Sequence, residues 1–408
     1  MTSGMRKRAA LLYVLALVVS ACGSGSLSRP LEPEPVSPEA SRAAGAARLE
    51  PPATPSPAPT ALPTAAPVVA TAAPAVVQAP ATPKKLRVFV ASEGPYSGGT
   101  GEVWVLEGTA ASGFEVVKKI PQGGWPHNVS VSPDGKYVAV AQRSSNQVSV
   151  IDPLEMKEIA RFPVGKTPHG ITWSPDSRWL FTAHERDMFI GKTEVGTWRM
   201  TPLHVGVPQH VTVMDPAKPT ELWFTLTNTT ALDHLRLYDL ETNKVTNVKV
   251  GDVHDVYFTP DFSELWSSSS GFLEKPSDRM VIYDPATRVV KETIRFPGRY
   301  PFHAQKANRD GQYFLPDKSI MLLSSHWSTE KGMNGASLLW VDWKERKIVG
   351  ETPLGRHVFH MTYDPLGDRV LATSNIDGMV NVIDAKTRQV VQKVPVPKAH
   401  GIVAIGVY

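Results

Sequence analysis

Seven histidines, His127, His169, His210, His254, His303, His360 and His400, recur along the chain, each in the same register of a repeated phrase. The first copy shows the phrase in full. Trp125-Pro126-His127-Asn128-Val129-Ser130-Val131 is followed by Ser132-Pro133-Asp134-Gly135, then by a second alternating run from Tyr137. Neutral imidazole ligates transition metals near pH 7, and several imidazoles aimed at one point cannot all be protonated at tolerable cost. An all-nitrogen set suits copper, zinc or nickel, with copper favoured, whereas Ca²⁺ and Mg²⁺ want oxygen. The residue before the histidine is Pro, Pro, Gln, Val, Phe, Phe or Ala, and the one after is Asn, Gly, Val, Asp, Ala, Met or Gly. The histidine persists while its neighbours drift. The competing reading is architectural: copies made by duplication are not independent, and the imidazole could simply hydrogen-bond the next unit's backbone.

The elements that must position these histidines are short strands. From Lys85 onward the repeat period is about 40–45 residues, as in propellers and solenoids. The first unit predicts strands over His127–Val131, Tyr137–Gln142, Gln147–Ile151 and Lys157–Phe162. Pro133-Asp134-Gly135 supplies a tight turn, because Pro presets φ and Gly accepts positive φ. The third strand of several units ends in an aspartate: Asp152, Asp239, Asp284, Asp342 and Asp384. At the chain's end His400–Val407 is a lone first strand. Near its start Arg87–Ser92, Glu102–Leu106 and Phe114–Ile120 are three strands lacking a first. Joined, they predict an all-β, seven-bladed β-propeller whose terminal strands close the last blade and leave no free sheet edge. First strands line a propeller's channel, so the seven histidines should circle one mouth.

The Ser-Pro-Asp-Gly turn and the Val150-Ile151-Asp152 strand resemble the YVTN-type β-propeller repeat over residues 86–408. That resemblance implies the fold and says little about function. The seven-histidine mouth also resembles the propeller domain of nitrous oxide reductase, whose copper cluster is held by seven propeller histidines. The reductase's paired-histidine motifs are missing here, as is a following cupredoxin domain, so redox chemistry would need an external electron donor. The haem d₁ propellers of nitrite reductases and their maturation proteins are similar in repeat type. They use a few asymmetric histidines, which matches a symmetric ring less well.

Residues 1–21 read as an export signal, with Arg6, Lys7 and Arg8 ahead of an apolar run from Ala9 to Val19. That run is too short for a span that needs about twenty residues. Val19-Ser20-Ala21-Cys22 resembles a bacterial lipobox, which implies lipidation of Cys22 and anchorage to the cell membrane, facing the periplasm or exterior. Residues 22–84 are rich in Pro, Ala and Thr, cannot bury a core, and should form an extended, disordered tether ahead of the domain at 85–408.

The composition excludes several other classes. The 43 basic and 39 acidic residues are dispersed, giving a formal net charge of +4 and no basic cluster that would bind nucleic acid. Cys22 is the only cysteine, so disulfides and thiolate metal sites are excluded within one chain. No Gly-x-Ser-x-Gly elbow, His-Glu-x-x-His zinc helix or glycine-rich phosphate loop occurs. His184-Glu185-Arg186-Asp187 reads as a solvated turn, and Ser267–Ser270 as a polar strand end. Asn128 and Asp255 adjoin ring histidines as candidate orienting partners, although adjacent strand residues normally face opposite ways. Trp125, Phe302 and Phe359 are expected to pack between blades. Longer units place specialised loops at Gly271–Arg279 and His326–Ala336, and His357 is the nearest candidate for an eighth ligand. Two functions are compatible with this pattern. One is a monomeric, lipid-anchored protein whose histidine ring binds a transition metal for metal handling or redox chemistry. The other is a non-enzymatic propeller that binds a protein or cell-wall partner.

Overall fold

The computed structural model describes residues 84–94, 99–227, 235–251, 253–269, 279–296, 314–315, 319–325 and 335–407. The signal segment, Cys22, the tether, Phe302, His303, His326 and most of both long loops lie outside the described residues.

Alternating apolar residues and turn chemistry produce strands throughout, and no α-helix occurs among the described residues. The chain opens with β1 (Lys85–Ser92), β2 (Thr100–Gly108) and β3 (Glu115–Gly124). Blade I follows as β4 (Pro126–Val131), β5 (Val138–Gln142), β6 (Gln147–Asp152) and β7 (Lys157–Pro163). Blade II is β8 (Pro168–Trp173), β9 (Trp179–His184), β10 (Phe189–Glu194) and β11 (Met200–His204). Blade III is β12 (Gln209–Met214), β13 (Glu221–Leu226), β14 (Leu235–Asp239) and β15 (Lys244–Val248). Blade IV is β16 (Val253–Phe258), β17 (Leu265–Ser269), β18 (Arg279–Asp284) and β19 (Val289–Arg295). Blade V contributes β20 (Ile320–Ser325), β21 (Ala336–Asp342) and β22 (Lys347–Gly355). Blade VI is β23 (Val358–Asp364), β24 (Arg369–Ser374), β25 (Met379–Asp384) and β26 (Val390–Pro395). The last strand, β27 (Ala399–Val407), pairs antiparallel with β1 from Lys85↔Val407 to Ser92↔Ala399, giving blade VII the order β27-β1-β2-β3. The seven sheets form a β-propeller, closed as the terminal strand pattern predicts.

The turn chemistry repeats with the blades. Asp134 Oδ1 accepts the Ser132 hydroxyl at 2.7 Å, and the Tyr137 amide donates to Ser132 Oγ at 3.0 Å. Ser174/Asp176 and Thr259/Asp261 repeat this arrangement. The recurrent third-strand aspartates turn the chain outward. Asp152 Oδ1 accepts the amides of Leu154 and Glu155 at 2.8 and 3.0 Å, and Asp239, Asp284, Asp342 and Asp384 do likewise two and three residues on.

The core lies in the layers between blades. Ala139, Ala141 and Val148 of blade I pack on Ile171, Trp173 and Leu180 of blade II. Phe89 and Val103 of blade VII pack on Val129 and Val140 of blade I. Inner strands therefore stand side by side: β4 neighbours β8, β8 neighbours β12, β12 neighbours β16, and β27 lies between β23 and β4. That adjacency brings the histidines together.

Candidate metal centre at the channel mouth

In six blades the ladder between the first and second strands skips a residue at the histidine. Pro126 pairs with Gln142 and Val129 with Val140, so His127 and Asn128 together oppose Ala141. The same β-bulge places His169-Gly170, His210-Val211, His254-Asp255, Phe359-His360 and His400-Gly401 each against one residue of the second strand. A bulge bends the strand and re-aims its side chains. It therefore overrides the alternation that would send Asn128 and Asp255 away from the histidines. Two residues ahead of the bulge, Trp125, Thr167, His357 and Lys398 hold φ of 54°, 54°, 61° and 49°. Non-glycine residues occupy that left-handed region at a cost of about 1–2 kcal/mol.

The expectation of one register for seven histidines needs correction at blade VI. There the position of His127 is taken by Phe359, and His360 occupies the second bulge position, which Asn128 and Asp255 occupy elsewhere. Phe359 packs between blades, as expected. It lies against ring residue His400 of the next blade with centroids 4.1 Å apart, and His357 lies 4.3 Å from it. His303 lies outside the described residues. The remaining six histidines do meet. Ring centroids are 3.6 Å apart for His127–His400, 4.8 Å for His127–His169, 3.9 Å for both His169–His210 and His210–His254, and 4.8 Å for His360–His400.

A second tier of polar residues, not anticipated from the sequence, supports them. Each directly follows a second strand: Glu93 after β1, Arg143 after β5, Glu185 after β9 and Asn375 after β24. Their amides donate to the carbonyls of Lys398, Trp125, Thr167 and His357, the four residues of positive φ. Glu185 is thus no solvated turn residue; it is 9 % exposed, and its carboxylate faces the ring. Its neighbour His184 is fully buried, takes the Gly165 amide on Nε2 at 3.0 Å and donates from Nδ1 to the Phe189 carbonyl at 2.9 Å. The recurrence of a polar residue in this position was the signal available in the sequence.

Hydrogen bonds fix the imidazoles of blades I and II. Glu93 Oε1 accepts from His127 Nδ1 at 2.5 Å, from Trp125 Nε1 at 2.7 Å, and its Oε2 accepts from Asn375 Nδ2 at 3.0 Å. His127 therefore keeps a lone pair on Nε2, which receives Arg143 Nη1 at 3.2 Å. Asn128 Nδ2 donates to His169 Nδ1 at 3.2 Å and to its carbonyl at 2.9 Å, which leaves the His169 proton on Nε2, 3.1 Å from His127 Nε2. Arg143 Nη2 also donates to Glu185, whose other oxygen lies 3.7 Å from His210 Nε2 and 4.0 Å from His169 Nε2. Beyond it, Asp255 Oδ1 stands 3.1 Å from His210 Nδ1 and 3.2 Å from His254 Nδ1.

Burial, then the Arg143 charge and neighbouring imidazoles, holds His127 well below the usual histidine range. Burial and the adjacent imidazoles do the same to His169 and His400. Burial and His254 lower His210 too, against the opposing pull of Asp255 and Glu185. Burial alone would raise the Asp255 carboxyl, but His254 and His210 overcome it and keep the group ionised. His127, His169 and His400 are thus neutral and Asp255 is ionised, the forms in which imidazole and carboxylate ligate metals. Three groups bring one donor atom per residue within 4.8 Å of each other: Glu93–His127–His400, His169–Glu185–His210 and His210–His254–Asp255. Ser267, by contrast, donates its hydroxyl to the Asp255 carbonyl and is a buried strand residue, as expected.

The fold is a seven-bladed propeller, and six of its histidines come into ring contact at one end of the inner strands. Residues 62–304, more than half of the chain, match the cytochrome D1 heme domain family, and the chain belongs to that family. Among solved structures it is similar to hydrazine synthase of Kuenenia stuttgartiensis, with a TM-score of 0.55 and 14 % identity over 66 % of this chain and 86 % of that one. It is also similar to the dihydro-heme d1 dehydrogenase NirN in complex with DHE, with a TM-score of 0.56 and 17 % identity over 81 % of this chain and 77 % of that one. At these identities the likeness is one of fold. No curated protein matches the chain.

Proposed function

We propose that the channel mouth holds a transition metal, copper favoured over zinc or nickel, through its neutral histidines, and serves metal handling or redox chemistry on a small molecule. The observation that carries this reading is the convergence of six histidines in ring contact, with His127, His169 and His400 kept uncharged by burial. A neutral nitrogen set of this kind suits copper and its neighbours. Within the same proposal, Cys22 carries the lipid that anchors the domain on the outer side of the cell membrane, and an external donor supplies electrons to any redox step.

Family membership favours a second reading, in which the metal arrives inside a haem-type group. The described histidines do not accept a macrocycle among themselves. Their rings pack 3.6–4.8 Å apart, and His127, His169, His210, His360 and His400 are at most 7 % exposed. Such a group would have to lie against the face of the ring.

Elemental analysis and an absorption spectrum of the full chain, purified without a histidine tag or chelator, separate these readings. About one or more equivalents of copper, zinc or nickel, lost in the His127→Ala/His254→Ala variant while the fold persists, supports the histidine-held ion. Iron with intense visible absorption supports the haem-type group. A folded, metal-free protein that refuses copper in titration overturns both and turns attention to protein or cell-wall partners.

A further inference from the structure

The ring is not one symmetric cage. Around His127 and His169 the ring nitrogens are already engaged. His127 Nε2 takes the Arg143 guanidinium, and His169 Nδ1 takes the Asn128 amide. A metal ion seated there would displace a fixed positive charge or lie against it. Between blades III and IV the situation is reversed. The bulge places Asp255 between two imidazoles, 3.1 Å from His210 Nδ1 and 3.2 Å from His254 Nδ1. His210 Nδ1 and Asp255 Oδ1 are both buried, and despite their proximity neither makes a hydrogen bond with the described residues. The distance suits a hydrogen bond, but the direction does not. Donor atoms that each lie about 2.1 Å from one ion, at angles of about 100°, are themselves about 3.2 Å apart. Three donor atoms within 4.8 Å of one another at that spacing are arranged as ligands of a common ion.

We infer that His210, His254 and Asp255 hold a single divalent first-row transition ion, off the propeller axis between blades III and IV. This rests on the proposed metal-binding function and narrows it, replacing an all-nitrogen cage by two imidazoles and one carboxylate. That donor set suits copper, zinc or ferrous iron, and the carboxylate neutralises half the ion's charge inside a buried site. Glu185, 3.7 Å from His210 Nε2, is placed to hold that imidazole in orientation as it ligates.

The test is titration of the full chain, stripped of metal, with copper(II) alone, followed by electron paramagnetic resonance of the loaded protein. The expected result is one tight equivalent whose spectrum shows coupling to two ring nitrogens. Asp255→Asn, which keeps the shape and removes the charge, should weaken copper binding at least tenfold with an unchanged circular dichroism melt. His204→Gln, on outer strand β11, should leave binding unchanged. Coupling to three or more nitrogens, or unaltered affinity in Asp255→Asn, overturns the off-axis site while leaving a metal-binding ring intact. A wild-type chain that takes up no copper overturns the site and the functional reading together.

Discussion

Two sectors of one ring, built from the same repeat, have been put to opposite use. In the sector of blades I and II, the second bulge position carries Asn128 and Gly170, and the polar residues behind the ring are Arg143 and Glu185, paired with each other. Its imidazoles are tied into hydrogen bonds around a cation. In the sector of blades III and IV, the second bulge position carries Val211 and Asp255, and Glu185 of blade II lies 3.7 Å from His210 Nε2. Its imidazoles face carboxylates. The backbone is common to both, since the bulge and its two-against-one register recur in each. A propeller thus supplies equivalent histidine positions, and the residue one step further along each strand decides which imidazoles can meet a metal.

The contrast breaks most sharply at Arg143. Arg143→Ala leaves Glu185 buried without its guanidinium partner, which should cost about 3 kcal/mol in urea unfolding, and pairing it with Glu185→Gln should recover most of that loss. The single variant should also gain copper, because His169, Glu185 and His210 then form a second donor group without a cation beside it. Unchanged copper stoichiometry would mean that Arg143 is not what bars metal from this sector.

Acid offers a second probe, through a histidine outside the ring. Burial holds His184 down to about 4. Because the folded value lies below the unfolded one near 6.5, this neutral histidine costs no stability above pH 6.5. Stability is then lost progressively as pH falls from 6.5 toward 4, by about 2 kcal/mol at pH 5. His184→Gln should flatten the profile of melting temperature against pH over that window. A slope unchanged by the substitution would assign acid sensitivity to the ring imidazoles instead.

The glycines of the bulge sharpen the comparison further. A Cβ on Gly401 would lie 2.4 Å from the His127 carbonyl oxygen, and one on Gly170 would lie 2.6 Å from Val211 Cα. Gly401→Ala or Gly170→Ala should cost about 2 kcal/mol by overpacking, read by chemical denaturation. The smallest effect is expected at the rim. Asp152→Ala removes the acceptor of two backbone amides in an exposed turn and should cost about 1 kcal/mol, with copper uptake unaltered.

Much of this molecule was legible from residue types alone. The Ser-Pro-Asp-Gly turns and third-strand aspartates are local chemistry, so blade I came out within a residue of its observed strands. The lone strand at His400 and the orphan strands after Lys85 required closure because an open edge is costly. The recurrence of histidine placed six described imidazoles at one mouth, since inner strands of adjacent blades must pack side by side. The slip at blade VI could also have been read, because His360 stands five residues before its turn proline where His127 stands six. Glu185 was misread because its charged neighbours look solvated in one dimension.

What the sequence determined, then, was the repeat, the closed ring and the presence of histidine at its mouth, because each follows from contacts within a strand or between consecutive strands. What only the tertiary structure decided was the chemistry of each imidazole. Glu93 reaches His127 across a blade boundary from 34 residues away in sequence, Glu185 of blade II reaches His210 of blade III, and Arg143 links His127 of its own blade to Glu185 of the next. The bulge that lets Asp255 turn toward His210 and His254 depends on pairing with β17. Charge and direction at a point are set by everything packed around it, and no periodicity in a single strand encodes that sum.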